Sequence, residues 1–137
     1  MKINDVASTL KMNDLYVCQC SFKRIPGDFT DFELQFSLNR ETKANDDGTY
    51  EVVLEVLLTN APHEFDLQIT IVGNFEVDAV SKKIEKELIE KNTVAIMFPY
   101  LRSQITLMSS QPGMKPIVLP PLNIDALIQE QIRELAE

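Results

Sequence analysis

Four segments in the first part of the chain alternate apolar and polar side chains with a period of two. In the clearest of them, residues 32–39, polar residues separate Phe32, Leu34, Phe36 and Leu38. This period is typical of a β-strand that has one buried and one solvated face. Polar connections containing Pro, Gly, Asn and Asp favour antiparallel pairing of such strands. The predicted strands lie near residues 15–25, 31–39, 49–60 and 64–77.

Three of the predicted strands have individual features. In the first, Tyr16, Cys18, Cys20 and Phe22 are expected to form one apolar face. The third is apolar on both faces, which favours a central position in the sheet or a place in an oligomer contact. The fourth is expected to end irregularly at Gly73.

After residue 80 the apolar period changes from that of a strand to that of a helix. Ser81 is a favourable N-cap for a short helix that ends near Asn92, and a long helix is predicted over residues 93–109. Pro99 is expected to kink the long helix or to begin a segment of it. Residues 1–14, ahead of the first strand, are compatible with a short amphipathic helix or a frayed arm. The apolar stripe of the long helix comprises Met97, Phe98, Leu101, Ile105 and Met108.

Strands that precede helices along the chain indicate an α+β fold. With 137 residues, of which 45% are hydrophobic, the chain is long enough for one domain with its own core. We therefore predict a single domain over residues 1–137, in which a four-stranded antiparallel sheet is followed by helices packed on one face.

An apolar segment rich in proline follows the long helix. Pro116, Pro120 and Pro121 fix the backbone and remove amide donors, so this segment cannot be helical and is expected to lie as an extended strap. A final helix is predicted to start at Asn123, a preferred N-cap. Methionines near the helix and the strap could offer soft contacts to varied apolar segments, although core packing is the more common role. These methionines are Met97, Met108 and Met114.

Net charge and motifs argue against several functions. The formal net charge of -8 argues against binding to nucleic acid or to anionic membranes, and no apolar run approaches the roughly 18 residues of a membrane helix. The polar N-terminus is unlike a secretory signal, so we expect a cytosolic protein with buried free thiols at Cys18 and Cys20. His63 is the only histidine and is expected in a solvated loop. No metal site, cofactor site or catalytic constellation is predicted, which argues against an enzyme.

Three blocks of sequence resemble one known family. The letters FPY at residues 98–100, Arg102, and LPPLNIDAL at residues 119–127 resemble a helix, a proline-rich linker and a helix start in the SecB-type protein-export chaperone family. YEVVLEVLLT at residues 50–59 resembles the third strand of that family. The blocks occur in the family's order and together span most of the chain. The last match, which ends the family's fourth strand, is the pair Gly73 and Phe75.

The resemblance implies a SecB-like fold and a molecular chaperone, or holdase, that binds unfolded polypeptides in long apolar grooves. In this family the grooves lie between the sheet, the loop after the first strand and the final helix, and the proteins are tetramers built as dimers of dimers. The alternatives are a chaperone of a toxin–antitoxin system and an oligomeric adaptor of the same fold that binds no client. The residues that match the family's groove elements are Phe29, Phe32, Leu34, Leu122, Ile124, Leu127 and Ile128.

The sequence departs from the family on the outer face of the sheet. In export members an acidic patch on the first and fourth strands docks the translocation motor. Only one of the four matching positions is acidic here, which leaves binding of the motor open. These positions hold Gln19, Lys23, Asp66 and Gln68.

The chain has more apolar surface than one core of this size can bury. The third strand is apolar on both sides, and the long helix carries apolar residues beyond one stripe, including Ile96 and Leu107. Large exposed apolar patches on soluble proteins usually mark interfaces. We therefore predict a homo-oligomer, either a dimer or a tetramer. The residues predicted in or beside its contacts are Tyr16, Cys18, Leu101, Ile105 and Met108.

Overall fold

The computed structural model describes residues 9–123 together with residues 126 and 127. Within these residues, four strands form one antiparallel sheet and helices follow it, which confirms the predicted α+β class. The strands are β1 (Thr9–Arg24), β2 (Leu34–Ala44), β3 (Tyr50–Asn60) and β4 (Phe65–Asp78), and their order across the sheet is β1-β4-β3-β2.

This strand order separates β1 from β2. Consecutive hairpins join β2, β3 and β4, whereas β1 pairs with β4 at the far edge of the sheet. The connection from β1 to β2, residues 25–33, therefore crosses one end of the sheet, and we call it the crossover loop. β3 lies between β2 and β4, which confirms the central position predicted from its two apolar faces.

Two strands are longer than the sequence pattern predicts. β1 begins at Thr9, so the helix or frayed arm expected for residues 1–14 is wrong from Thr9 onward, and residues 1–8 lie outside the described residues. β2 continues to Ala44, past Asn39, where a polar turn is expected. β1 and β2 are the two edges of the sheet.

β1 does not keep one face along its length. Its register against β4 shifts by one residue at two points, and each shift moves the following side chains to the other face. Phe22 consequently packs against the core, whereas Tyr16 lies on the outer face, away from the helices. The common apolar face predicted for this strand is therefore wrong. The prediction of buried thiols is also wrong, since both cysteines, Cys18 and Cys20, are free but exposed.

Between residues 79 and 123, three helical segments follow the sheet. The first, α1 (Lys82–Glu87), is capped by Ser81 as predicted, because the Ser81 hydroxyl oxygen accepts a hydrogen bond from the Ile84 amide at 3.3 Å. A π-helical turn, Leu88–Asn92, joins α1 to the long helix α2 (Thr93–Ser109), which has the predicted bounds. None of the helices in the described part of the chain is long and apolar enough to cross a bilayer.

One apolar stripe of α2 packs on the sheet. Val94, Met97, Leu101 and Ile105 are completely buried, and the helix contacts β4 and β1. Pro99 lies inside α2 on its exposed side and does not begin a helical segment. The buried sheet residues in the same core are Val52, Leu54, Val56, Leu58, Phe65, Leu67, Ile69, Ile71 and Phe75.

Gly73 lies within β4 rather than at its end, and it allows α2 to approach the sheet closely. A Cβ atom at this position would lie 2.8 Å from Cε2 of Phe75 and 3.1 Å from Sδ of Met97. Both neighbours are completely buried, so neither can move aside without disturbing the core. The absence of a side chain at Gly73 is therefore a packing requirement.

We expect Gly73→Ala to destabilise the fold by about 1–3 kcal/mol, which is the usual cost of adding a group to a well-packed core. Denaturant unfolding of the variant and the wild type measures this difference. Ser37→Ala changes an exposed residue of β2 and serves as the control, with wild-type stability expected. Equal stability of Gly73→Ala and the wild type would show that α2 does not rest against this glycine.

Candidate functional site

An open groove of about 650 Å³ lies at the end of the sheet that the crossover loop covers. The crossover loop and the start of β2 form one side of the groove, which we call the loop wall. Residues 113–118, which follow α2, form the other side, which we call the strap wall. The residues that line the groove are Arg24, Asp28, Phe29, Asp31, Phe32, Leu34, Phe65, Gly113, Met114, Lys115, Pro116, Ile117 and Val118.

Aromatic rings build the loop wall. Phe29 stacks on Phe65, the first residue of β4, with 5.2 Å between the ring centroids, and Phe22 stacks on Phe65 at 6.3 Å. Aromatic pairs at these separations attract each other beyond the effect of burial alone. Phe32, in contrast, is 77% exposed. The groove is thus lined by one exposed ring, that of Phe32, and by the packed rings of Phe29 and Phe65.

Arg24, the last residue of β1, connects the two walls. Its guanidinium lies 4.6 Å from the centroid of the Phe29 ring, a distance at which a cation is attracted to an aromatic face. It also donates hydrogen bonds to the carbonyl oxygens of Ile25 (3.1 Å), Gly27 and Gly113 (3.1 Å). Because Gly113 begins the strap wall, this one side chain ties both walls together.

The strap wall continues into an extended segment. Residues 115–123 form neither helix nor strand, as the prolines predict. Ile117 and Leu119 are buried, whereas Val118 between them is 70% exposed. This alternation is that of an extended chain, in which successive side chains point to opposite sides. Val118 is therefore available on the groove side while its neighbours fix the segment to the core.

Side chains of α2 hold the backbone of this segment. The Arg102 guanidinium donates to the Leu119 carbonyl oxygen at 2.7 and 3.2 Å, and the Thr106 hydroxyl donates to the Ile117 carbonyl oxygen at 2.9 Å. The Ile117 amide donates to the Ser109 hydroxyl oxygen at 2.8 Å. Such partners are needed because a buried backbone group without a hydrogen bond costs free energy.

A buried carboxylate lies behind the loop wall. Glu64 is 6% exposed, and its Oε1 atom accepts hydrogen bonds from the Thr30 amide (2.9 Å), the Thr30 hydroxyl (3.0 Å) and the Asn60 side-chain amide (2.9 Å). Burial raises the pKa of this carboxyl, but the hydrogen bonds from Thr30 and Asn60 outweigh burial, and the pKa lies below its ordinary value. Glu64 therefore holds its partners as a charged group at neutral pH.

The structure places three of the predicted groove residues together. Phe29, Phe32 and Leu34 all line the loop wall, and their role in client binding stays a prediction. Sequence reasoning missed Phe65, whose pattern indicates only a buried strand residue, and Arg24, whose hydrogen bond to Gly113 joins segments that are distant in sequence. The three methionines differ in role, since Met114 lines the groove, Met97 is completely buried and Met108 is partly buried against the core.

The predicted residues near the chain's end lie elsewhere. Leu122 packs against the core, and Leu127 is partly buried; neither lines the groove. Asn123 makes the predicted capping bond, because its Oδ1 atom accepts a hydrogen bond from the Ala126 amide at 3.0 Å, and residues 126 and 127 are helical. The two remaining predicted residues, Ile124 and Ile128, lie outside the described residues.

The predicted interface residues divide into two groups. Leu101 and Ile105 are completely buried against the chain's own sheet, and the prediction that they lie in or beside an oligomer contact stays a prediction. Tyr16 is 50% exposed, Cys18 is exposed and Met108 is partly buried. Only this second group remains accessible for an oligomer contact.

The positions that match the family's acidic patch lie on the outer face of the sheet. Asp66 is paired across the strands with Lys23, and its Oδ1 atom lies 2.7 Å from Nε2 of His63, which is exposed as expected. Gln68 donates a hydrogen bond to the Glu55 carboxylate at 2.9 Å. The carboxylates of this face therefore have basic or amide neighbours. The fourth matching position is Gln19.

Metal ligands do not cluster in the part of the chain that the structure describes. Among these residues, no three side chains of His, Cys, Asp or Glu come together in an arrangement that could hold an ion.

We expect Ser109→Ala to destabilise the protein by about 1–3 kcal/mol, because the buried Ile117 amide loses its acceptor. Urea unfolding measures the change. The adjacent Ser110→Ala is a matched control, since Ser110 is exposed and its hydroxyl donates to the Thr106 carbonyl oxygen at 2.7 Å. Equal effects of the two substitutions would argue against a specific anchor for the strap wall.

Comparison with known families identifies related sequences. A family model described as the preprotein translocase subunit SecB matches residues 4–135. The protein-export protein SecB of Dechloromonas aromatica is 32% identical over 107 residues, which cover 76% of this chain and 70% of that protein. The protein-export protein SecB of Alkalilimnicola ehrlichii is 30% identical over 108 residues, which cover 77% of this chain and 57% of that protein. The second match thus spans little more than half of the relative's length.

Two solved structures have a similar fold. The SecB-like chaperone Rv1957 of Mycobacterium tuberculosis, in complex with a ChAD peptide from the HigA1 antitoxin Rv1956, matches with a TM-score of 0.69 at 10% identity, covering 83% of this chain and 90% of that chain. A protein of unknown function from Streptococcus agalactiae matches with a TM-score of 0.53 at 10% identity, covering 85% of this chain and 100% of that chain.

Proposed function

This chain belongs to the SecB family, and we propose that it is a molecular chaperone that holds unfolded polypeptide segments in the groove between the loop wall and the strap wall. The observation that carries the proposal is the groove itself, which is open, about 650 Å³ in volume and rich in apolar side chains. Such a surface suits extended segments with large apolar residues. We assign the protein no catalytic reaction and no cofactor.

The position of Phe29 favours client binding over an adaptor that binds no client. Phe29 packs between Phe65 and Arg24 as part of the loop wall, and open volume remains beside it. Phe32 and Val118 are 77% and 70% exposed on the two walls. Burial of apolar surface lowers the free energy by roughly 25 cal/mol per Å². A client that covers both residues is therefore stabilised by contacts with both walls.

Two kinds of client suit this groove. The names of the curated relatives favour preproteins that await export, whereas the similar structure that holds an antitoxin peptide favours one dedicated client. Lys23 lies opposite Asp66 and offsets its negative charge, which leaves less negative charge there for a translocation motor and supports the dedicated client. We place the protein in the cytosol, where its exposed free thiols, Cys18 and Cys20, stay reduced.

We also propose that the chaperone is a homo-oligomer, either a dimer or a tetramer. β1 is an edge strand with Tyr16 and Cys18 exposed, and α2 exposes Tyr100 (49%) and Leu107 (64%). Edge strands and exposed apolar helix surfaces are both suited to association with a second chain. Met108, which is partly buried, lies one residue from Leu107 in the same helix.

We expect Phe32→Ser to lower the affinity for an unfolded client about tenfold, because a large apolar ring leaves the loop wall. Suppression of aggregation of a denatured client protein measures the effect. The melting temperature should not change, since Phe32 is 77% exposed. Leu57→Ser, at a residue that is 42% exposed and faces outward on β3, is the control and should hold clients like the wild type. A wild-type protein that fails to slow the aggregation of several clients at stoichiometric amounts would rule out general holdase activity.

Light scattering at micromolar concentration and moderate salt should give the mass of two or four chains. Leu107→Ser should shift the distribution towards smaller species, because it removes an apolar side chain that is 64% exposed on α2. Ser103→Ala, at an exposed polar residue of α2, should leave the mass unchanged. A single-chain mass for the wild type would remove the proposed assembly.

A further inference from the structure

Glu64 is buried and charged, yet it does not line the groove. It lies in the turn between β3 and β4, where its amide donates to the Asn60 Oδ1 atom at 2.8 Å and its Oε1 atom accepts from Asn60 Nδ2 at 2.9 Å. Burial of a carboxylate is costly unless donors compensate for the lost water. The origin of those donors therefore indicates what Glu64 does.

The compensating donors come from the crossover loop as well as from the turn. Thr30 supplies its amide at 2.9 Å and its hydroxyl at 3.0 Å, both to Oε1 of Glu64. Asn60 Nδ2 also donates to the Asp31 carbonyl oxygen at 2.9 Å. At the loop's other end, the Ile25 amide donates to the Glu64 carbonyl oxygen at 2.9 Å. The turn around Glu64 thus holds the crossover loop near both of its ends.

We propose that Glu64 is a positioning residue for the groove: its carboxylate holds the crossover loop on the end of the sheet and thereby sets where Phe29 and Phe32 stand in the loop wall. This inference rests on the proposed function of the groove. Phe29 directly precedes Thr30, and Phe32 directly follows Asp31. A displacement of residues 30 and 31 therefore moves both rings.

A charged acceptor suits this task better than a neutral one. Three donors converge on one oxygen of Glu64, and hydrogen bonds to an ionised group are roughly twice as strong as neutral ones. A wall whose residues are held in place before binding loses less conformational freedom when a client arrives. Release of Thr30 is therefore expected to weaken binding although Glu64 touches no client.

The protein contains no tryptophan, so Phe32→Trp, made in a separate set of variants, creates a single tryptophan reporter in the loop wall, whereas hydrogen exchange and peptide binding are measured in variants that keep Phe32. Hydrogen exchange at the Thr30 amide reports whether the loop is held. Fluorescence anisotropy with a fluorescein-labelled unstructured peptide of Phe, Leu and Ser reports binding. In Glu64→Ala we expect Thr30 exchange to be about tenfold faster and peptide affinity about tenfold lower, with exchange in β3 and β4 unchanged.

Two matched variants separate positioning from general damage. Glu64→Gln keeps an acceptor oxygen but loses the charge, and it should restore part of the Thr30 protection and of the peptide affinity. Asp66→Ala removes a nearby carboxylate on the outer face and should change neither measurement. If Glu64→Ala does not fold, Thr30→Val removes one donor, and Thr30→Ser provides the rescue in the same assays.

The outcomes distinguish this inference from the proposed function. Unchanged Thr30 exchange in Glu64→Ala would overturn the inference, and so would faster exchange with unchanged peptide affinity. Failure of the wild type to bind the peptide would overturn the proposed function instead. In that case the exchange rate of Thr30 and the emission of the Trp reporter still decide whether Glu64 holds the loop.

Discussion

The burial of one stripe of α2 on the sheet determines where the rest of the molecule lies. Val94, Met97, Leu101 and Ile105 are completely buried, and removal of such apolar surface from water is the dominant favourable term in folding. Once this stripe is fixed, the neighbouring polar stripe of α2 has a fixed direction as well. Its guanidinium and hydroxyl groups then hold the following segment on one path. The location of the strap wall is thus a consequence of core packing.

The loop wall depends on a different constraint, the order of the strands. β1 and β2 follow each other in sequence but lie at opposite edges of the sheet, so the crossover loop has to span the sheet's end. The chain after α2 returns to the same end of the sheet, where the Arg24 guanidinium donates a hydrogen bond to the Gly113 carbonyl oxygen. Apart from the start of β2, neither wall is built from a strand or a helix. The groove is therefore shaped by side-chain hydrogen bonds, which involve Arg24, Glu64, Arg102 and Thr106, rather than by a backbone ladder.

Local periodicity was sufficient to predict the bounds of α2 and the central place of β3, because both signals lie in consecutive residues. The pairing of strands that are distant in sequence cannot be predicted from local periodicity. The register shifts of β1 against β4 therefore placed Tyr16 on the face opposite to the one expected. A buried stripe has the same sequence pattern whether a sheet or a second chain covers it, so the sequence alone does not show that Leu101 and Ile105 pack on the chain's own sheet. In the groove, family resemblance pointed to Phe32. Glu64 could not be found in this way, since its role arises from contacts between separate segments.

The place of β1 in the sheet has a consequence for biosynthesis. Its partner is β4, which the ribosome completes after β2 and β3. β2, β3 and β4 can form hairpins with their neighbours in sequence as they are synthesised. Until β4 is complete, β1 has no partner, and the side chains of Leu10, Met12, Leu15 and Phe22 are exposed to solvent. Pairing over such a distance in sequence slows folding and prolongs the risk of aggregation. During its own translation, a chain of this family is thus for a time an unfolded client of the kind its groove is proposed to hold.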